Sequence, residues 1–239
     1  MARNGGPIVL DADSSWLDGF AAKRGTRHLC AFSHGKDAIA AFLVARARSI
    51  DLTCVHMHVV PGLEFVAESL AKLERALGVK IIDVPHPSLL RMLKNCTFQP
   101  PERVNLIDDL RLKVPTYSQV YADARKLTGA PAGCLVASGV RAADSIVRRI
   151  SFVKHGAVRA KTETFYPVWN FNKAATLDVI KRAGVELPVD YAWFGRSFDG
   201  IDARFLVPLK QHAPRDYQRV LEVFPLAELE VFRHGLSRS

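Results

Sequence analysis

The stretch His28–Ala47, HLCAFSHGKDAIAAFLVARA, decides how this chain is read. Its first five residues form an apolar run that suits a buried strand, and from Lys36 onward it is an apolar, alanine-rich helix. Ser33, His34, Gly35, Lys36 and Asp37 make the turn between the two. A helix start presents unpaired N–H groups and the positive end of its dipole, so such a corner suits an anion. Gly35 lets backbone approach closely, Lys36 adds a point charge and Ser33 adds a hydroxyl donor. The same five residues also read as an ordinary helix start, with Ser33 as cap and Lys36 solvated. No glycine-rich run precedes Gly35, so neither G-x-x-x-x-G-K-[ST] nor G-x-G-x-x-G is present.

Outward from this stretch, strand-like runs and helical patterns alternate. Residues 27–33, 52–60, 80–85 and 134–140 read as strands, and TFYPVW (164–169) as a fifth. Helices are expected over 36–49, 63–78, 116–128, 142–156 and 172–184, with a short one after Pro87. Residues 98–115 read as a polar, proline-containing connection. The expected fold is α/β: a doubly wound, mostly parallel five-stranded sheet with helices on both faces, plus a helical C-terminal extension. Residues 1–185 would form the α/β domain and 186–239 a helical cover packed on it. Ligands in such sheets sit beyond the carboxyl ends of the strands, which directs attention to the turns at Ser33, Val60 and Gly139.

The turn after the fourth strand, SGVRAADSIVRR, has its own logic. Gly139 allows a tight turn, and the planar fork of Arg141 suits phosphate or sulfate. Asp144 and Arg148 stand at i and i+4, where they can pair. A helix with a solvated basic stripe of Arg141, Arg148 and Arg149 is the plainer alternative. Glu64, at the start of the 63–78 helix, faces either a ribose hydroxyl or solvent. His56 and His58 share one strand face, and with no third ligand nearby they read as a metal-free pair. The aromatics Trp169, Phe171, Tyr191, Trp193, Phe194 and Phe198 read as packing for a helical lid, or as a stacking surface for a base.

The chain of 239 residues is 49% hydrophobic and 24% charged, which allows a substantial core. Its net charge of +9 is spread along the whole sequence and favours polyanions such as nucleotides or nucleic acid. No apolar run reaches the roughly 18 residues of a membrane-spanning helix. The start, MARNGGPIVLDADSSW, does not read as a secretory leader, so a cytoplasmic location is expected. Cys30, Cys54, Cys96 and Cys134 lie far apart, which indicates neither a disulfide framework nor a zinc site. The C-terminal helices read as an amphipathic cover or a homodimer contact.

Ser33-His34-Gly35-Lys36-Asp37-Ala38 resembles the S-G-G-K-D-S loop of the PP-loop ATP pyrophosphatases, specifically the phosphoadenylylsulfate (PAPS) reductase family. Three further segments agree in order. VHMHVVPGLEF matches the family's second-strand turn at Gly62, Glu64 and Phe65, with Val60 and Pro61 in place of its aspartate and threonine. SGVRAADSIVRR matches G-x-R-x-x-[ED]-S-x-x-R at Gly139, Arg141, Asp144, Ser145 and Arg148. YPVWNFNKAATLDVIKRAGVELPVDYAWFGRS is similar to the closing segment, with its Pro-x-x-x-Tyr and Gly-x-Ser. The likeness spans about residues 15–200. His34 replaces a glycine, which is tolerated if that position needs no positive φ, and Ala38 replaces a serine whose hydroxyl would face phosphate.

The resemblance implies an adenine nucleotide alpha hydrolase-like fold and a bound adenine nucleotide. ATP would be cleaved between its α- and β-phosphates to activate a substrate, either a nucleic-acid base or a small molecule. Lys36 and Arg141 would carry the catalytic charge stabilisation and Mg²⁺ would bridge the phosphates. Asp37 would be a metal partner, or simply a charge compensating the helix dipole. The nucleotide-binding set would be Ser33, His34, Gly35, Lys36, Asp37, Gly62, Glu64, Gly139, Arg141, Ser145 and Arg148. The family's reductases use a cysteine near the C-terminus, and here none follows Cys134. Sulfonucleotide reduction by that route is therefore not expected. Two alternatives stand beside ATP cleavage: PAPS binding with a thiol supplied by a partner, and a non-catalytic scaffold that binds nucleic acid or a protein.

Overall fold

In the computed structural model, residues 12–195, 198 and 200–236 are described. The N-terminal stretch through residue 11 and Ser197 of the Gly-x-Ser match lie outside them. Helix α1 (Trp16–Arg24) precedes β1 (Arg27–Ala31), and α2 (Lys36–Arg46) comes after it. His28, Leu29 and Cys30 are buried because β1 lies between two neighbours, pairing in parallel with β2 (Asp51–His58) and with β4 (Val136–Ala137). A continuous apolar run is the expected signature of such a strand. In α2, Ala38, Ala40, Ala41 and Ala45 are all buried, which lets the helix pack closely on its surroundings.

The chain then runs through α3 (Glu64–Leu77), β3 (Ile81–Pro85), α4 (Pro87–Lys94), α5 (Val104–Asp109) and α6 (Tyr117–Thr128) to β4. Beyond it lie α7 (Ile146–His155), β5 (Val158–Arg159), β6 (Thr164–Phe165) and α8 (Lys173–Arg182). Four helices follow among the described residues: α9 (Asp190–Phe194), α10 (Ala203–His212), α11 (Pro214–Val223) and α12 (Glu228–Leu236). The strands form a six-stranded sheet in the order β3-β2-β1-β4-β6-β5. β1 pairs in parallel with β2 and β4, β4 in parallel with β6, and β5 runs antiparallel to β6. The fold is α/β and doubly wound, with flanking helices and a helical C-terminal part.

Several elements depart from the sequence reading for local reasons. The expected fifth strand stops at Phe165, because Pro167 has no N–H and Tyr166–Trp169 turn, Trp169 N–H donating to Tyr166 O at 3.2 Å. The sixth strand, β5, is two residues long and gives no periodic signal. The helix expected from 142 begins at Ile146, since Ala142–Asp144 form a 3-10 turn and Ser145 caps α7. The polar 98–115 connection contains α5, and α1 lay outside the sequence reading.

Two compact units divide the chain, interleaved in sequence. The first takes the residues up to Val55 with Val79–Ile81 and Tyr121–Glu186. The second takes His56–Gly78, Ile82–Val120 and the chain from Leu187 on. In the first unit α2 packs on α8. In the second, Phe65, Trp193, Phe194, Phe198 and Phe205 pack ring on ring, with Phe198 and Phe205 stacked at 4.4 Å. That is internal packing of the helical part. Among the described residues, no helix is long and apolar enough to cross a membrane.

Candidate functional site

Strand order reverses at β1, which lies between β2 and β4, so the turns after β1 and β4 flank the switch point of the sheet. Both turns belong to the first unit. The cap of α2 is Gly35, with φ −75° and ψ 160°, a residue with no side chain to accept from the first turn of the helix. Ser33 is exposed and is not the cap, so the plainer reading of this turn is not realised in its details.

The opposing turn comes extremely close. A Cβ placed on Gly139 would lie 2.5 Å from both the carbonyl carbon and the oxygen of Asp37, and 2.8 Å from Ala38 N. Only glycine fits there, because the obstacle is backbone.

The charged groups converge on one carboxylate. Lys36 Nζ lies 2.7 Å from Asp37 Oδ2, and Arg141 Nε lies 2.9 Å from Asp37 Oδ1. The second approach is a charge contact without hydrogen-bond alignment. Arg141 is 5% exposed. Its other nitrogens donate to Thr176 Oγ1 at 3.2 Å and to Asp144 Oδ1 at 2.7 Å. The guanidinium therefore ties the start of α2, the 3-10 turn and α8 together, and protein oxygens fill its fork. Lys36 pairs with its neighbour, and 18% of its side chain is exposed.

His34 occupies the left-handed region, with φ +49°, and is buried. The condition under which histidine replaces glycine without strain is thus unmet. A non-glycine residue in this conformation costs about 1 kcal/mol, and such strain gathers at functional turns. Ser145 accepts from Arg148 N–H at 3.1 Å to cap α7, and Arg148 pairs with Asp144 at 2.7 Å as the i, i+4 spacing predicts. Both are committed to local structure.

Gly62 and Glu64 belong to the second unit. Gly62 has φ +77°, and an added Cβ would sit 3.2 Å from the Arg219 guanidinium, which donates to Pro61 O at 2.9 Å. Glu64 N–H and Phe65 N–H donate to the two oxygens of Asp216, at 2.6 and 3.0 Å. Asp216, 2% exposed, fills the start of α3 with a carboxylate from a residue far along the chain.

His56 and His58 also acquire a partner: both Nδ1 atoms lie on Asp83 Oδ1, at 2.8 and 3.0 Å. Partial burial pushes the Asp83 carboxyl up, but the two imidazoles outweigh it and hold it well below the usual carboxylate range. Burial, reinforced by Arg91, lowers the pKa of His86. Burial likewise lowers His28, which accepts from Leu135 N–H at Nδ1 and so donates from Nε2 to Gly25 O.

Among the described residues, no group of three His, Cys, Asp or Glu side chains could hold a metal ion. Asp37, the expected metal partner, already faces two cations, so its carboxylate does not fit a divalent ion in this arrangement. Cys30, Cys54 and Cys134 are buried; a hydrogen bond with Cys30 and then burial push the Cys54 thiol upward, and burial does the same to Cys134, so neither is a ready thiolate.

The sequence missed Asp144 as an anchor of Arg141, together with Thr176, Asp216 and Asp83. The i, i+3 spacing from Arg141 could have revealed Asp144. The others are brought in by tertiary structure and leave no local signal.

No protein-family model matches the chain, and no curated protein matches it. Among solved structures the chain is similar to an NH3-dependent NAD synthetase from Campylobacter jejuni subsp. jejuni NCTC 11168 in complex with the nitrate ion, at 10% identity and a TM-score of 0.44, over 97% of this chain and 95% of that one.

Proposed function

We propose that the start of α2 binds the phosphates of an adenine nucleotide, and that the protein is a PP-loop, PAPS reductase-like ATP pyrophosphatase. It would cleave ATP between the α- and β-phosphates to activate a substrate. The observation that carries this reading is the start of α2 on Gly35, with Lys36 at its first position and a second glycine turn pressed against it. Lys36 is the residue that engages phosphate, exchanging the Asp37 carboxylate for the ligand. Arg141 acts as the strut that holds the two turns, and its charge supports the same corner. The basic net charge favours a nucleic-acid substrate over a neutral small molecule.

Calorimetry of ATP, AMP and PAPS against the purified protein, with and without Mg²⁺, tests this directly. Binding of ATP with pyrophosphate release on addition of substrate is expected. Lys36→Ala should weaken ATP by about tenfold or more, as loss of a charge-assisted contact does. Unchanged ATP affinity in that variant would remove Lys36 from the site.

A second reading, nucleotide binding without cleavage, is favoured by the strained His34 and the filled fork of Arg141. It predicts the same affinities with no pyrophosphate released in any substrate pool.

A further inference from the structure

Arg159 lies in β5, at the outer edge of the sheet in the first unit, and two aromatic rings steady its guanidinium. Its Cζ is 5.1 Å from the centre of the Phe152 ring and 4.8 Å from that of Tyr166. The two rings stand perpendicular to each other at 5.0 Å, so they fix the plane of the fork without using its N–H groups. Among the described residues no oxygen accepts from Arg159, and its Nε is sealed from solvent without an acceptor. The residue as a whole is only half-buried, so the outer edge of the fork reaches solvent.

A buried donor without an acceptor calls for an explanation. The nearest carboxylate in the sequence, Glu163, is engaged elsewhere, pairing with Arg125 at 2.9 Å. Tyr166 has a spare donor as well. Thr164 Oγ1 donates to Tyr166 Oη at 3.2 Å, which leaves the phenolic proton for another acceptor. From Ser145 to Thr162 the chain has no Asp or Glu, while Arg148, Arg149, Lys154, Arg159 and Lys161 fall within it. Lys154 and Lys161 are exposed. Oriented donors without acceptors, in a stretch of cations without carboxylates, suit an anion supplied from outside that repeats along a chain. We propose that Arg159 and Tyr166 bind a backbone phosphate of a nucleic acid at this edge of the sheet. The inference rests on the nucleic-acid reading of the substrate given above and adds a place for that substrate on the first unit. A phosphate contact of this kind fixes position and carries no sequence information.

Fluorescence anisotropy of a labelled, mixed-sequence single-stranded oligonucleotide, from about 50 to about 200 mM salt, tests the proposal. Arg159→Gln should weaken binding about tenfold. It should also make the salt slope shallower by about 0.7, the share of one phosphate contact on a single strand. Arg159→Lys keeps the charge and hence the slope, but it lacks the fork and should still bind more weakly. Tyr166→Phe keeps the ring under the guanidinium and should cost about fivefold with the slope unchanged. Circular dichroism and ATP affinity should match the parent in all three. If Arg159→Gln does not fold, the other two variants decide. An oligonucleotide bound equally by parent and variants would overturn the Arg159 contact while leaving the nucleotide site standing. A parent that binds ATP but no oligonucleotide would overturn the nucleic-acid substrate and this contact together. Displacement by polyglutamate as readily as by unlabelled oligonucleotide would overturn it too, because the fork would then serve a carboxylate chain.

Discussion

Helices α2 and α3 both begin on a residue whose side chain caps nothing, Gly35 in one and Leu63 in the other. At α3 the chain supplies its own anion, the buried Asp216 carboxylate accepting from Glu64 and Phe65 N–H. At α2 the charged groups present are Lys36, Arg141 and the Asp37 between them. A helix start that is satisfied internally is structure. The start of α2 has instead a lysine at its first position and the backbone of another turn pressed against it. The two are indistinguishable by local composition: each comes after a parallel strand and has an acidic residue in its first turn.

The largest test of this difference is Gly139→Ala. The new methyl would collide with the Asp37–Ala38 backbone, which cannot swing aside as a side chain could, so about 3 kcal/mol of stability should be lost. Denaturant unfolding would show it, and nucleotide affinity should fall too. A loss below about 0.5 kcal/mol, the size of an ordinary surface change, would mean that the two turns are not in contact.

Asp216→Asn breaks the other side. It replaces one of two acceptors with a donor facing an N–H, at a cost of about 2 kcal/mol. Because that carboxylate is structural, nucleotide affinity should be untouched. A loss of ATP binding there would erase the distinction between the two helix starts.

The smallest effect is on pH dependence. His28 and His86 have folded pKa values below the ordinary histidine value of 6.5, so the unfolded chain binds more protons and stability rises with pH. Their contribution is complete above about 6.5 and fades as pH falls through the lowered values. The Asp83 contribution persists further, being lost only below its unfolded value of 3.8. Stability measured from pH 8 to pH 3 should therefore decline in two stages. His28→Gln and His86→Gln should each flatten the first stage, and Asp83→Asn the second.

Much of the architecture was legible because it rests on local pattern. Apolar runs such as His28–Phe32 and the amphipathic spacing of α3 fix strand and helix wherever they occur, and their alternation forces a parallel sheet. The i, i+4 pairing of Asp144 with Arg148 was legible for the same reason. Short elements were not: β5 and β6 are two residues each and exist only because neighbouring strands pair with them.

The sequence by itself determined the α/β alternation, the turn chemistry at Gly35 and Lys36, and the absence of any cysteine after Cys134. Tertiary structure alone decided that Arg141 braces three elements, that Gly139 meets Asp37, and that Asp216 closes α3. Residue type and spacing act over one or two turns of chain. Which carboxylate meets which cation across a hundred residues depends on how the helices settle on the sheet, and no local pattern encodes that.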